Sequence, residues 1–191
     1  MEHILLHCCC APCSAPIIEW MLNNDITPTL FYFNPNIYPT EEYLIRKEEC
    51  IRYALSQGVE FIDGDYDHAY WLSKVAGLED QPERGTRCLQ CFKLRMQATA
   101  LLAAEKGFDQ MTTTLAGSRW KSFAQIVEAG NWAAAQAGGV RFWEKDWKKG
   151  GLTERRKVLL QENDFYNQQY CGCEFSIRGI NNGQERQFGA G

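Results

Sequence analysis

The 191-residue sequence contains no run of about 18 apolar residues, so no stretch of it reads as a membrane-spanning helix. Nor does it carry an excess of positive charge: 24 acidic against 20 basic residues leave a formal net charge of −4. That balance alone selects no partner, because an acidic chain still holds RNA when its basic residues gather on one face. Glycines are missing where a nucleotide-binding turn would need them. The first expected strand–helix junction reads Cys9-Cys10-Ala11-Pro12-Cys13, which speaks against a phosphate cradle and against ATP-dependent activation of a substrate. No internal repeat and no linker-like stretch divides the chain. With 45% hydrophobic and 23% charged residues it is expected to form one α/β catalytic domain over residues 1–176, large enough to bury a core. Residues 177–191, rich in Gly, Asn and Gln, are expected to be a flexible tail. Met1-Glu2-His3 and the short apolar stretch after it are too brief and too acidic for a signal peptide, so a cytoplasmic location is expected.

What the sequence has in abundance is cysteine. There are nine, and four of them (Cys8, Cys9, Cys10 and Cys13) fall within six residues. Neighbours on an extended chain point opposite ways and cannot readily bridge each other. Cys88-Leu89-Gln90-Cys91 and Cys171-Gly172-Cys173 supply two further groups. In a reducing compartment such groups serve as metal ligands or redox catalysts more often than as structural disulfides. Three chemistries remain open from spacing alone. A structural zinc site would draw four thiolates from two pairs, though adjacent cysteines suit it poorly. An iron–sulfur cubane takes four cysteine thiolates spread over several ångströms. Metal-free thiol chemistry is the third. The C-x-C group is a separate object: a strained small-ring disulfide there would be labile, and Gly172 supplies the backbone latitude.

The periodicity predicts five strands alternating with helices. Strands are expected at 3–9, 27–33, 59–62, 108–115 and 140–143, and helices at 15–22, 40–57, 68–76, 88–107, 118–137 and 153–163. Ser14 is the expected cap of the first helix. Together these describe a three-layer α/β/α, doubly wound, mostly parallel sheet of the Rossmann-like or HUP-like kind. Every suspected functional group falls just after a strand or at a helix start, where open α/β sheets place their ligands. Cys50, inside a helix, reads as a small buried hydrophobe. Two segments mix basic and aromatic side chains: Arg119-Trp120-Lys121 and Trp147-Lys148-Lys149. They are candidates for holding phosphates and stacking an unpaired base.

Several motifs taken in order resemble one family. Leu5-Leu6-His7-Cys8-Cys9-Cys10-Ala11-Pro12-Cys13 is similar to the signature of the QueH-type epoxyqueuosine reductases. So are Tyr32-Phe33-Asn34-Pro35-Asn36-Ile37, Gly64-Asp65-Tyr66-Asp67, Arg87-Cys88-Leu89-Gln90-Cys91-Phe92, Thr112-Thr113-Thr114-Leu115 and Tyr170-Cys171-Gly172-Cys173. The resemblance spans about residues 3–176. It implies reduction of epoxyqueuosine to queuosine at the wobble position of tRNAs with a GUN anticodon, without cobalamin and with electrons from an unidentified donor. It also implies a [4Fe-4S] cluster on Cys9, Cys10, Cys88 and Cys91. A redox-active disulfide at Cys171 and Cys173 is implied as well. A further mononuclear iron is associated with the family, with Cys13 and Asp65 as candidate ligands. Cys8, at a variable position of the signature, reads as a packed residue. Arg119, Lys121, Lys148 and Lys149 are the candidate tRNA contacts. One departure stands out: Gly117-Ser118-Arg119-Trp120-Lys121 replaces the Ser-Pro-His-Lys found in many relatives. A non-catalytic, zinc-containing RNA-binding module is the rival reading, and no membrane partner is expected.

Overall fold

In the computed structural model, residues 2–177 are described, and the expected tail at 178–191 lies outside them. The most apolar stretch becomes the middle of the sheet. Strand β1 (Glu2–Cys8) buries Ile4, Leu5, Leu6 and Cys8 to 1% exposure or less, which a strand achieves only with both faces covered. It pairs in parallel with β2 (Ile26–Tyr32) on one side and with β4 (Gln110–Thr113) on the other. Strands β3 (Phe61–Asp63) and β5 (Arg141–Phe142) complete a five-stranded, all-parallel sheet in the order β3-β2-β1-β4-β5. The edge strands are the shortest, three and two residues, so little unpaired backbone is offered at either side. The doubly wound expectation holds, and the mostly parallel sheet is wholly parallel among the described residues.

Helices α1 (Ala11–Leu22), α2 (Thr40–Ser56), α3 (His68–Val75), α4 (Thr86–Lys106), α5 (Phe123–Ala137) and α6 (Leu152–Glu162) connect and cover the sheet. Among the boundaries that differ from expectation, three move a functional residue. Helix α1 starts four residues early. Cys10, extended at φ −171° and ψ 155°, is its N-cap, and Pro12 sits in the first turn, where a missing N–H costs nothing. Ser14 does not cap it; its hydroxyl donates back to the Cys10 carbonyl at 2.8 Å. Helix α4 starts at Thr86 after Gly85, which puts Cys88 and Cys91 inside its first two turns. The fourth strand ends at Thr113 and passes into a 3₁₀ turn (Thr114–Gly117), and α5 begins only at Phe123, capped by the Ser122 hydroxyl. Residues 118–122 are therefore a loop rather than a helix start.

The chain leaves β1 towards β2 and β3, then crosses to β4 on the opposite side. The C-terminal ends of β1 and β4 thus flank the point where the winding reverses, the place at which open α/β sheets hold ligands. Cys9 and Cys10 follow β1 directly, and Thr114 follows β4.

Candidate metal and thiol centre

The backbone holds the two strand ends in register before any cofactor is considered. His7 and Thr113 are register partners, and the His7 ring is fully buried between Nδ1···Thr113 Oγ1 (2.9 Å) and Nε2···Phe33 O (3.0 Å). A carbonyl only accepts, so Nε2 carries the proton and Nδ1 accepts from the hydroxyl. Burial, followed by the nearby Arg95 charge, pushes the His7 pKa down to about 4 and keeps the ring neutral. One residue further on, the Cys9 amide donates to Thr114 Oγ1 at 3.2 Å, and the Thr114 hydroxyl donates to Cys9 Sγ at 3.3 Å.

Because Cys10 is the cap and α1 starts at once, the sulfurs of Cys9, Cys10 and Cys13 converge within 4.8 Å of one another, all buried. The three thiols are not equivalent. Hydrogen bonds from Cys10 and Cys13 hold Cys9 well below the usual thiol range, against its burial and helped by Lys121 and Thr114. Burial pushes Cys10 well up. The cluster therefore favours one thiolate flanked by two protonated neighbours. Gln168 closes the group, its Nε2 donating to Cys10 Sγ at 3.2 Å while its buried Oε1 has no partner.

A second group of thiols forms where α4 meets the C-terminal loop. Cys88 and Cys91 lie about one helical turn apart, and the Arg84 amide donates to Cys88 Sγ at 3.3 Å. Trp71, fully buried in α3, donates Nε1–H to Cys91 Sγ at 3.3 Å. Cys91 and Cys173 share a small apolar cluster with Trp71, Val75 and Phe175. Burial raises the Cys88 thiol, with Cys171 and Cys91 adding to it; burial likewise raises Cys173 to about 11, with Cys171 and Cys91 again contributing. All nine cysteines carry free thiols, Cys171 and Cys173 included.

Lys121 sits between the two groups. It is 7% exposed, donates Nζ to Ser118 Oγ at 3.2 Å, and stays charged because Cys171, Cys9 and Cys13 outweigh the cost of its burial. Sequence reading placed it at the RNA surface; the loop at 118–122 turns it inward to the sulfurs. Arg119 and Lys148 line an open cleft beside Cys13, whereas Lys149 is exposed and faces Asp146 at 4.0 Å. Asp65 is exposed, and it lies outside the three-thiol group. Cys8 and Cys50 are buried packing residues, as their positions suggested. Gln168, Trp71, Thr114 and Arg46 are site residues that sequence reading missed. Nothing local marks the first two, and Thr114 and Arg46 become visible only through contacts that span more than a hundred residues.

These features define an α/β domain with buried, soft-metal-type thiol ligands at the switch point of a parallel sheet. The family model described as "Epoxyqueuosine reductase QueH" matches residues 4–179. The chain belongs to that family. It is 45% identical over 182 residues to epoxyqueuosine reductase QueH of Histophilus somni, covering 95% of this chain and 75% of that one. It is 43% identical over 180 residues to the Acinetobacter baylyi protein (94% and 83% covered). The Thermotoga maritima protein is 31% identical over 180 residues (93% and 91% covered). Among solved structures, the U34-tRNA thiolase NcsA from Methanococcus maripaludis, determined with its [4Fe-4S] cluster, superposes with a TM-score of 0.51. It is 12% identical, with 97% of this chain and 66% of that one covered, a likeness of fold.

Proposed function

We infer that this chain reduces epoxyqueuosine to queuosine in tRNA, at the wobble position of GUN anticodons, with residues 1–176 acting as one catalytic unit. The observation that carries this reading is a pair of thiol groups, Cys9, Cys10 and Cys13 at the switch point and Cys88, Cys91, Cys171 and Cys173 where α4 meets the C-terminal loop, with Lys121 feeling the charge of both, in a chain that matches the reductase family along its length. The donor chemistry fits an iron–sulfur group: buried soft ligands, one already favoured as thiolate, and a buried cation to offset their charge. Cys9 and Cys10, with Cys88 and Cys91, are the proposed [4Fe-4S] ligands. Cys13, grouped with the first pair, is the proposed ligand of an additional mononuclear iron. Asp65, exposed after β3 and outside the three-thiol group, is the second proposed ligand of that iron. When bound, the metal group supplies single electrons and a Lewis acid, and the proposal needs no cobalamin.

The chain's own residues account for the stoichiometry. Removing the epoxide oxygen to leave an alkene and water consumes two electrons and two protons. Oxidation of the Cys171 and Cys173 thiols to one disulfide releases two electrons and two protons, so each turnover is balanced by one dithiol. An external electron donor then restores the thiols. Lys121 holds positive charge beside both sulfur groups. Among the described residues no helix is long and apolar enough to cross a membrane, and the proposed site of action is the cytoplasm.

The test is iron and acid-labile sulfide content of protein purified without oxygen and without cobalamin, followed by turnover on epoxyqueuosine-containing tRNA. Brown protein with about four or more irons that yields queuosine supports the reading. Colourless protein with one zinc, unchanged by reconstitution, defeats it and leaves the zinc-containing RNA-binding module. Cys171→Ser should abolish turnover and keep the cluster absorbance; Cys9→Ala should bleach it.

A further inference from the structure

Beside Cys13 opens a cleft of ≈ 790 Å³, its mouth included, between the first turns of α1, the loop after β4 and the start of α6. Cys13, Pro16 and Ile17 form one side, so the cleft touches the three-thiol group directly. Its charge is one-sided. Arg119, Lys148, Arg156 and Lys157 line it and no Asp or Glu does, in a chain whose acidic residues outnumber its basic ones. None of these four side chains makes an ion pair among the described residues. The contrast with Arg155 is direct: one residue before Arg156, it is held by Glu19 at 2.7 and 2.8 Å and by Glu162 at 3.3 Å.

The walls are aromatic as well as basic. Trp120 lines the cleft half-buried, with the Arg119 guanidinium 4.6 Å above its ring. Trp147 lines it from below at 2% exposure, and its indole Nε1–H has no hydrogen-bond partner. A buried donor left unpaired is costly unless something fills it. The cleft therefore offers several unpaired cations, an exposed ring and an orphaned donor at one place, next to a sulfur ligand.

We propose that this cleft is the entry site for a single-stranded RNA nucleotide, whose flanking phosphates lie on Arg119, Lys148, Arg156 and Lys157 and whose base stacks against Trp120. Mixed cations and aromatic rings are how unpaired strands are held without base pairing. This rests on the reductase reading and deepens it: the modified base would approach the metal centre from the Cys13 side. It also redraws the basic set, adding Arg156 and Lys157 from α6 and leaving Lys121 and Lys149 out.

The test is binding of a synthetic, unmodified anticodon stem–loop RNA to the full chain, by fluorescence anisotropy from low to high salt. Arg156→Gln with Lys157→Gln should weaken binding at low salt. The slope of log affinity against log salt should flatten by about one per cation removed, so parent and variant converge at high salt. Lys148→Gln, in the loop before α6, should act the same way and serves if the α6 variant does not fold. Lys106→Gln, exposed at the far end of α4, should change nothing. Unchanged affinity and slope in both cleft variants overturn the proposal, as does an equal loss in Lys106→Gln. A blunt RNA duplex of the same length that binds as tightly as the stem–loop overturns the single-strand assignment. If the parent binds the stem–loop through the cleft yet fails to reduce epoxyqueuosine-containing tRNA, the reductase reading falls and the cleft stands. If the parent reduces tRNA and the variants bind normally, only the cleft falls.

Discussion

Arg46 in α2 donates Nη1 to the backbone carbonyl of Cys171, 125 residues away in sequence, at 3.3 Å, and Nη2 to that of Tyr170 at 3.3 Å. The guanidinium is 2% exposed and paired with Glu42 at 2.7 Å, whose other oxygen accepts from Tyr166 at 2.8 Å. From the opposite side, the Tyr38 amide donates to the Gly172 carbonyl at 2.9 Å. The C-x-C loop is thus clamped between α2 and the Asn34–Tyr38 loop, with Gly172 at φ +135°, a conformation L side chains rarely adopt.

Arg46→Met removes one partner of a buried ion pair and frees the loop. Breaking such a pair costs about 3–5 kcal/mol, since Glu42 is left buried and uncompensated. Denaturant unfolding should show a loss of that order, and Cys171 and Cys173 should react faster with a thiol reagent under native conditions. Labelling at the parent rate would show that Arg46 does not position the dithiol.

Neighbouring basic residues should separate by assay. Lys121 lies inside beside the thiols, and Arg119 faces the cleft. Lys121→Met should lower iron retention after reconstitution and shift the reduction potential of whatever metal group is bound, with RNA affinity little changed. Arg119→Gln should do the reverse. Equal effects of both variants on iron retention would place Lys121 outside the metal centre.

This contrast shows where sequence reading stops. The doubly wound parallel sheet was legible from a nearly continuous apolar run, Ile4 to Cys8 broken only by His7, that suits a strand covered on both faces, and from alternating helices that impose crossovers. The two cysteine groups near the chain start and at Cys88–Cys91 were legible from their spacing, which left three chemistries open until the family resemblance chose among them. Lys121 was not, because its direction depends on α5 starting at Phe123 instead of Ser118, a boundary set by Ser122 capping. Arg156 and Lys157 carried no signal within the expected helix at 153–163, and only the packing of α6 against α1 brings them to the cleft beside Cys13. Gln168 has no local signal at all.

Gly130 tests the packing of α5 on the sheet edge. A Cβ there would lie 2.4–2.5 Å from three atoms of the Phe142 ring, including the ring atom nearest the backbone. In an exposed helix Gly→Ala would stabilise by about 1 kcal/mol. Overpacking costs about 1–3 kcal/mol, and the whole ring must swing to relieve it. Gly130→Ala should therefore lose stability, by about 1 kcal/mol net, and Gly130→Ala combined with Phe142→Leu should recover it. A single variant more stable than the parent in urea would refute the close approach.

Tyrosines link the sheet to α2 and give the fold an alkaline limit. Tyr32 and Tyr43 rings lie 5.4 Å apart and Tyr43 stacks on Tyr66 at 4.0 Å. Burial is the leading cause that raises Tyr32 and Tyr43, and it pushes Tyr53 up to about 12, with Glu19 adding to the effect. In the unfolded chain these phenols ionise near 10. The folded state therefore holds more protons between pH 10 and 12, so stability is intact below pH 10 and falls as pH rises through that window. Phenolate absorbance should show the native protein lagging the urea-unfolded chain above pH 10, and urea midpoints should drop over the same range. Tyr53→Phe should remove part of that drop, while superimposable native and unfolded titrations would mean that these phenols are open to solvent.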